Sequence, residues 1–241
     1  MNTASQQKGK LYLIPSTLGD NDPLEVLPVT VKAVIENTTY FIVENQKTAR
    51  RFIKRIAPEK SQPSLQLFTL NKRTEASEYA DFIAPCLKGH DVGILSEAGC
   101  PGIADPGADI VALAHRNAIE VLPLVGPSSI LLAMMASGMN GQSFAFNGYL
   151  PIDKGERKQA LKRYERISRE QQQSQLFIET PYRNDKLLQD LIQQLHPETR
   201  LCVAADLTLP TAYIKTLPVI AWKKEHPDLH KRPAIFILHA T

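Results

Sequence analysis

At 241 residues the chain is long enough to bury one large core or two smaller ones. Its 43% hydrophobic and 22% charged content is ordinary for a globular protein, and a net charge of only +3 rules out bulk charge as the mark of a nucleic-acid binder. Cys86, Cys100 and Cys202 are scattered, with no CxxC pair, which argues against a disulfide framework or a zinc site; no metal is expected. The opening MNTASQQKGK is polar, and no run approaches the ~18 apolar residues of a membrane span, so a cytoplasmic protein without a membrane partner is expected.

Short apolar runs alternate with amphipathic segments. Strands are predicted at Leu11–Ile14, Tyr40–Val43, Leu65–Leu70, Val92–Leu95 and Ile119–Val125. Helices are predicted between them at Pro28–Glu36, Thr48–Ala57, Glu75–Leu87 and Asp105–Asn117. This βαβ rhythm predicts a mainly parallel five-stranded sheet with helices on its faces. The texture changes after Gly126. A helix is predicted over Ser128–Ser137, then strands at Phe144–Tyr149, Leu176–Glu179, Leu201–Ala205, Pro218–Trp222 and Ala234–His239. Helices near Arg157–Glu170 and Asn184–Leu195 lie among them. The expectation is two α/β domains, residues 1–126 and 127–241, the second with a mixed sheet.

The stretch SEAGCPGIADPG, Ser96 to Gly107, follows the fourth strand with three glycines, two prolines and two acids. A packed core has no use for that composition, whereas a loop at the carboxyl end of a parallel strand brings backbone close to a ligand. Asp105 before Pro106 fits a helix N-cap with proline in the first turn. Glu97 lies in the same small-residue loop, either as a structural residue or lining a ligand site. Ser128 and Ser129, after Gly126-Pro127, can cap a helix and can also hold a polar ligand. The first loop, Pro15 to Asp20, has one glycine, so a GxGxxG dinucleotide fingerprint is absent, as is a P-loop.

Lys47, Arg50, Arg51, Lys54 and Arg55 recur at helical spacing opposite Ala49, Phe52, Ile53 and Ile56. A second basic run extends from Lys154 to Arg169. The two hold 12 of the 28 basic residues, so the choice is between solvated helix faces and a surface for an anionic partner. His226 and His230 read as a surface turn.

SEAGCPGIADPG resembles the S-D-A-G-T-P-G-I-S-D-P-G signature of the tetrapyrrole methylase superfamily, in its ribosomal RNA small-subunit methyltransferase I branch. LYLIPSTLGD, VENQKTARRF, GPSS, FNGYLP, ETPYR and RPAIFIL resemble that branch's segments in order, so the resemblance covers nearly the whole chain. It implies the tetrapyrrole methylase fold, an S-adenosylmethionine cleft between two α/β domains, a homodimer, and methylation of a ribose 2′-hydroxyl of small-subunit ribosomal RNA. It implies cofactor contacts at Pro15, Glu97, Gly99, Cys100, Ile103, Ser128, Ser129, Thr180, Pro233 and Ala234. Lys47, Arg50, Arg51 and Lys54 are the expected RNA-facing residues. Glu44, ending the second strand beside the basic helix, is the expected general base. Glu97 stands where the signature has aspartate, and Cys100 where it has threonine. Asn45, Gln46 and Lys47 replace the D-T-R of an A-E-D-T-R segment. These departures, in a chain short for the branch, leave open a small anionic acceptor such as a tetrapyrrole, or a cofactor-binding regulator without turnover.

Overall fold

A computed structural model describes residues 7–241; the first six residues of the polar opening, from which no signal segment is expected, lie outside the described residues. Among the described residues no helix is long and apolar enough to cross a membrane. The chain divides into two compact units, one ending at Pro127 and one beginning at Ser128.

The first unit runs β1 (Leu11–Ile14), α1 (Pro23–Val26), α2 (Val29–Asn37), β2 (Tyr40–Val43), α3 (Gln46–Ile56), β3 (Gln66–Thr69), α4 (Tyr79–Leu87), β4 (Val92–Leu95), α5 (Ala108–Arg116) and β5 (Val121–Pro123). The strands form one sheet in the order β3-β2-β4-β1-β5, and every pair is parallel. Apolar residues occupy successive strand positions because both faces are covered. Phe41 and Val43 join Ile14 and Leu95 beneath α2 and α3. Ile42 joins Leu11, Val92 and Ile94 beneath α4 and α5. Gly93 is glycine for packing: a Cβ there would lie 2.6 Å from Ile14 Cδ1. The connections leaving the neighbours β1 and β4 run to opposite faces, which makes their shared carboxyl edge a topological switch point.

The second unit runs α6 (Ser129–Ser137), β6 (Phe144–Tyr149), α7 (Lys154–Gln171), β7 (Ser174–Ile178), α8 (Asn184–Gln194), β8 (Arg200–Ala205), β9 (Tyr213–Pro218), α9 (Val219–Trp222) and β10 (Ala234–His239). Its sheet, ordered β6-β7-β10-β8-β9, is mixed: β6 and β7 are parallel and the remaining pairs antiparallel. Central β10 is buried along its whole length. Leu161 of α7 and Leu187, Leu188 and Leu191 of α8 pack with Phe177, Phe236 and fully buried Trp222. The Trp222 indole donates to the Leu201 carbonyl at 2.9 Å, so the largest core side chain is also satisfied as a donor.

Two expectations fail here. The predicted strand Pro218–Trp222 is instead the end of β9 followed by the short helix α9. Pro218 carries no N–H to continue a ladder, and the apolar run after it turns inward as a helix, burying Val219 and Trp222. The helix predicted from Asp105 begins at Ala108, with Gly107 in the N-cap position and no side-chain cap. The φ of 137° at Gly107 is not helical, so Asp105 and Pro106 stay in the loop.

One member of the second basic run, Arg157, is structural, while the others are exposed. The Arg157 guanidinium meets the buried Asp190 carboxylate at 2.7 Å, and Lys186 reaches the same carboxylate at 2.8 Å. Arg163 lies over the Tyr164 ring at 4.7 Å, and Arg166 pairs with Glu170. Burial alone would raise the Asp190 pKa, but the hydrogen bonds and charges of Lys186 and Arg157 outweigh it and hold the pKa below the usual carboxylate value. A depressed folded pKa contributes stability above the unfolded value and loses it as pH falls through the folded one. Arg157→Ala should therefore cost about 3 kcal/mol in urea unfolding at neutral pH, because it leaves a buried carboxylate with one partner. The deficit should shrink toward pH 3 as Asp190 protonates in both proteins.

Candidate active site

All five strands of the first sheet end on one edge, and the loops there are tied together by backbone. Ser16 N–H donates to the Gly99 carbonyl at 2.9 Å, an isolated bridge between the loops after β1 and β4. The Ser96 hydroxyl donates to the same carbonyl at 2.5 Å and lies 3.3 Å from the Ser16 hydroxyl. Gly99 holds a φ of 77°, and a Cβ there would lie 3.2 Å from the Pro127 carbonyl. Cys100 Sγ donates to that carbonyl at 3.5 Å. Pro15 is buried against Gly126, where a Cβ would sit 2.3 Å from the proline ring. Pro15, Gly99 and Cys100 thus build the loop cluster, while Glu97, Ala98 and Ile103 face outward; Ile103 is 55% exposed.

Three carboxylates gather at this edge. Glu44 closes β2, and Glu97 and Asp105 come from the loop after β4; all three line a cavity of about 10 Å³, room for no more than one water. The Glu97 carboxylate accepts from the Thr48 hydroxyl at 2.6 Å, joining this loop to the first turn of α3. Asp105 Oδ2 is buried without a hydrogen-bond partner among the described residues. Burial, and then the negative charges of Glu44 and Glu97, push the Asp105 pKa up to about 6. Asp105 is therefore not a cap, as the sequence suggested, but a strained member of the acidic cluster.

Helix α3 opens beside the cluster. Asn45 caps it, its Oδ1 accepting from Lys47 N–H at 2.9 Å and more weakly from Thr48 N–H at 3.4 Å. Aspartate caps a helix in the same way, so the Asn45 departure preserves the local fold. The Gln46 amide donates to the Thr69 hydroxyl. Ala49, Ile53 and Ile56 are buried as expected, and Phe52 is partly buried. The basic face is less free than its spacing implied. Arg50 donates to the Gln62 carbonyl and Lys54 to the Pro58 carbonyl. Arg55 pairs with Asp20 at 2.5 Å and holds the Asn21 carbonyl. Among the described residues, the charged groups of Lys47 and Arg51 have no protein partner. A cavity of about 650 Å³ opens between the Ser16–Asp20 loop and α3, with Arg51, Arg55 and Glu97 on its walls.

In the second unit, the Ser128 hydroxyl caps α6 by accepting from Leu131 N–H at 3.4 Å, and Ser129 begins the helix. Ile178 pairs with Ile235, so continuing that antiparallel register places Thr180 alongside Pro233, next to Ala234. The Pro233 carbonyl accepts from Asp206 N–H, and Asp206 anchors Arg232 at 2.7 Å. This draws in a segment with no recognisable motif. Asp206 and Thr208 have φ of 51° and 73°, and the Thr208 hydroxyl is buried with no partner among the described residues. A β-branched residue in the left-handed region is strained, and strain of this kind marks functional segments.

Asp105→Asn provides a test of the acidic cluster. A carboxyl whose folded pKa is raised costs stability once it ionises. The cost is fully present above about pH 6 and absent below the ordinary value of 3.8. The variant should have a higher Tm than the parent at pH 7.5, with the difference gone at pH 3.5, as read by thermal unfolding.

Comparison with known proteins follows the same outline. The sequence profile of the tetrapyrrole (corrin/porphyrin) methylases matches residues 10–219. A relative from Vibrio cholerae serotype O1, named ribosomal RNA small subunit methyltransferase I, is 27% identical over 232 residues, covering 95% of this chain and 76% of the relative. One of the same name from Escherichia coli O157:H7 is 26% identical, covering 98% and 79%. Among solved structures, the methyltransferase CobJ superposes with a TM-score of 0.63 at 16% identity, covering 97% of this chain and 95% of that one. Cobalt precorrin-4 methyltransferase CbiF gives 0.59 at 13% identity, covering 95% and 94%. An all-parallel sheet followed by a mixed one, with loops gathered at the first sheet's carboxyl edge, is the tetrapyrrole methylase fold; the chain belongs to the tetrapyrrole (corrin/porphyrin) methylases and is a methyltransferase.

Proposed function

We propose that this methyltransferase uses S-adenosylmethionine to methylate a ribose 2′-hydroxyl of small-subunit ribosomal RNA, in the cytoplasm and as a homodimer. The observation that carries this is the carboxyl edge of the first sheet. Arg51 shares a cavity with Glu97, and Glu97 shares a second one with Glu44 and Asp105, so a phosphate-binding group and proton-accepting groups lie at one edge. Relatives matching nearly the full chain carry the name of a ribosomal RNA methyltransferase, which supports RNA over a tetrapyrrole as the acceptor.

The residues present fit the cofactor. More than half of Ile103 is exposed in a loop of small residues, giving an apolar surface bordered by open backbone at Gly102. The orphaned Thr208 hydroxyl offers a polar partner two residues beyond Asp206, whose N–H bonds the Pro233 carbonyl. Gly99, Cys100, Ser128, Ser129 and Thr180 complete the proposed contact set. S-adenosylmethionine, when bound, supplies a methyl group already activated on a sulfonium. The chain's part is to align the acceptor hydroxyl, exclude water and take its proton. Glu44 is assigned the proton, with Glu97 held in place by Thr48. Lys47 and Arg51 hold acceptor phosphates, while Arg50 and Lys54 contribute after exchanging their carbonyl partners. Exposed Leu131 and Met135, one turn apart on α6, support a second copy as partner.

Isothermal titration should show S-adenosylhomocysteine binding and no heat from NADH. With small-subunit ribosomal RNA as acceptor, Glu44→Gln should lower kcat by about a hundredfold while leaving cofactor affinity unchanged. Methylation of a carboxylated tetrapyrrole with ribosomal RNA untouched would overturn the RNA assignment.

A further inference from the structure

The cavity between the first loop and α3 has a lining of definite polarity. Its volume of about 650 Å³ falls within the ~300–1,000 Å³ usual for small-molecule sites. Four charged side chains reach it: Asp20, Arg51, Arg55 and Glu97. Asp20 and Arg55 neutralise each other at 2.5 Å, and Glu97 is oriented by Thr48. Among the described residues, that leaves one cation of the lining without a partner, Arg51, and one carboxylate, Glu97, whose second oxygen has none. Phe52, partly buried, supplies an aromatic surface on the same helix.

We propose that this cavity receives a single unstacked nucleotide of the acceptor, its phosphate on Arg51, its free ribose hydroxyl toward Glu97 and its base against Phe52. The inference rests on the RNA assignment above and deepens it. One phosphate, one hydroxyl-bearing sugar and one flat ring complement one guanidinium, one carboxylate acceptor and one aromatic side chain. A polycarboxylate suits the cavity poorly. Arg51 would satisfy one of its carboxylates, and the next would meet Glu97 as a like charge. The arrangement also accounts for the position of the cavity. A nucleotide seated there brings its ribose to the carboxyl edge of β4, where the three carboxylates lie.

The test uses the full-length protein and an exposed residue, so folding is not at stake. Nucleoside 5′-monophosphates should bind saturably by titration calorimetry, and Arg51→Gln should weaken them roughly tenfold or more. Arg51→Lys, which keeps a point charge, should recover part of the loss. With ribosomal RNA as acceptor, Arg51→Gln should raise KM with little change in kcat and lower the salt slope of binding by about 0.7 to 0.9. S-adenosylhomocysteine affinity should not move, and Arg116→Gln, on the opposite face of the sheet, should change none of these values. Unchanged RNA affinity and salt slope in Arg51→Gln would overturn the cavity assignment while the RNA reading stood. A wild-type protein that binds mononucleotides through Arg51 but leaves ribosomal RNA unmethylated would overturn the RNA reading and leave the cavity assignment in place. Tighter binding of a carboxylated porphyrin than of any mononucleotide, lost in Arg51→Gln, would overturn the nucleotide.

Discussion

The uniform direction of the first sheet is the constraint on which the site depends. Five parallel strands buried on both faces leave no freedom in where their carboxyl ends point, so the loops after β1, β2 and β4 open on one edge. The Ser16–Gly99 hydrogen bond then converts neighbouring loops into a single piece of backbone. Gly126 allows that closeness because a side chain there would collide with Pro15, and Gly99 because its positive φ favours glycine and a Cβ would crowd the Pro127 carbonyl. Small residues in this region serve two ends: the loops pack on one another, and backbone remains open on their outer side.

Polar groups at the edge carry a cost that the buried sheet can bear. Three carboxylates share a space that admits at most one water, and Asp105 has no partner to offset its burial. A fold selected only for stability would place an apolar residue or asparagine there. The second unit has the same signature on a smaller scale, with a β-branched Thr208 in the left-handed region and its hydroxyl orphaned. Other buried polar groups are fully partnered, as the Arg157–Asp190–Lys186 cluster and the Trp222–Leu201 bond illustrate. Unsatisfied atoms at Asn21, Gln62, Arg183 and Asn184 show that orphaned groups are not confined to the proposed ligand contacts.

The basic residues show how charge spacing can mislead. Lys47, Arg50, Arg51, Lys54 and Arg55 form one face by helical geometry, yet three of them are committed to carbonyls or to Asp20. On α7, Arg157 belongs to the core although it sits in a run of exposed lysines and arginines. Spacing on a helix tells which side chains share a face; it does not tell which acceptors the rest of the chain brings to that face.

The order of strands and helices was legible in the sequence because it rests on periodicities a few residues long. Both alternating units, the amphipathic α3 with its Ala49, Ile53 and Ile56 stripe, and the glycine-rich turn after β4 follow from local pattern. Local pattern also misled where one residue outweighed its neighbours: Pro218 ended a strand, and Gly107 delayed a helix, displacing Asp105 from its expected cap. Only tertiary structure decided the chemistry of the edge. Thr48 reaches Glu97 across 49 residues, and Asp20 reaches Arg55 across 35. The Asp105 pKa is set by burial and by charges on two different loops. Charge, burial and hydrogen bonding at such a place depend on residues far apart in the chain, and no short window of sequence contains them together.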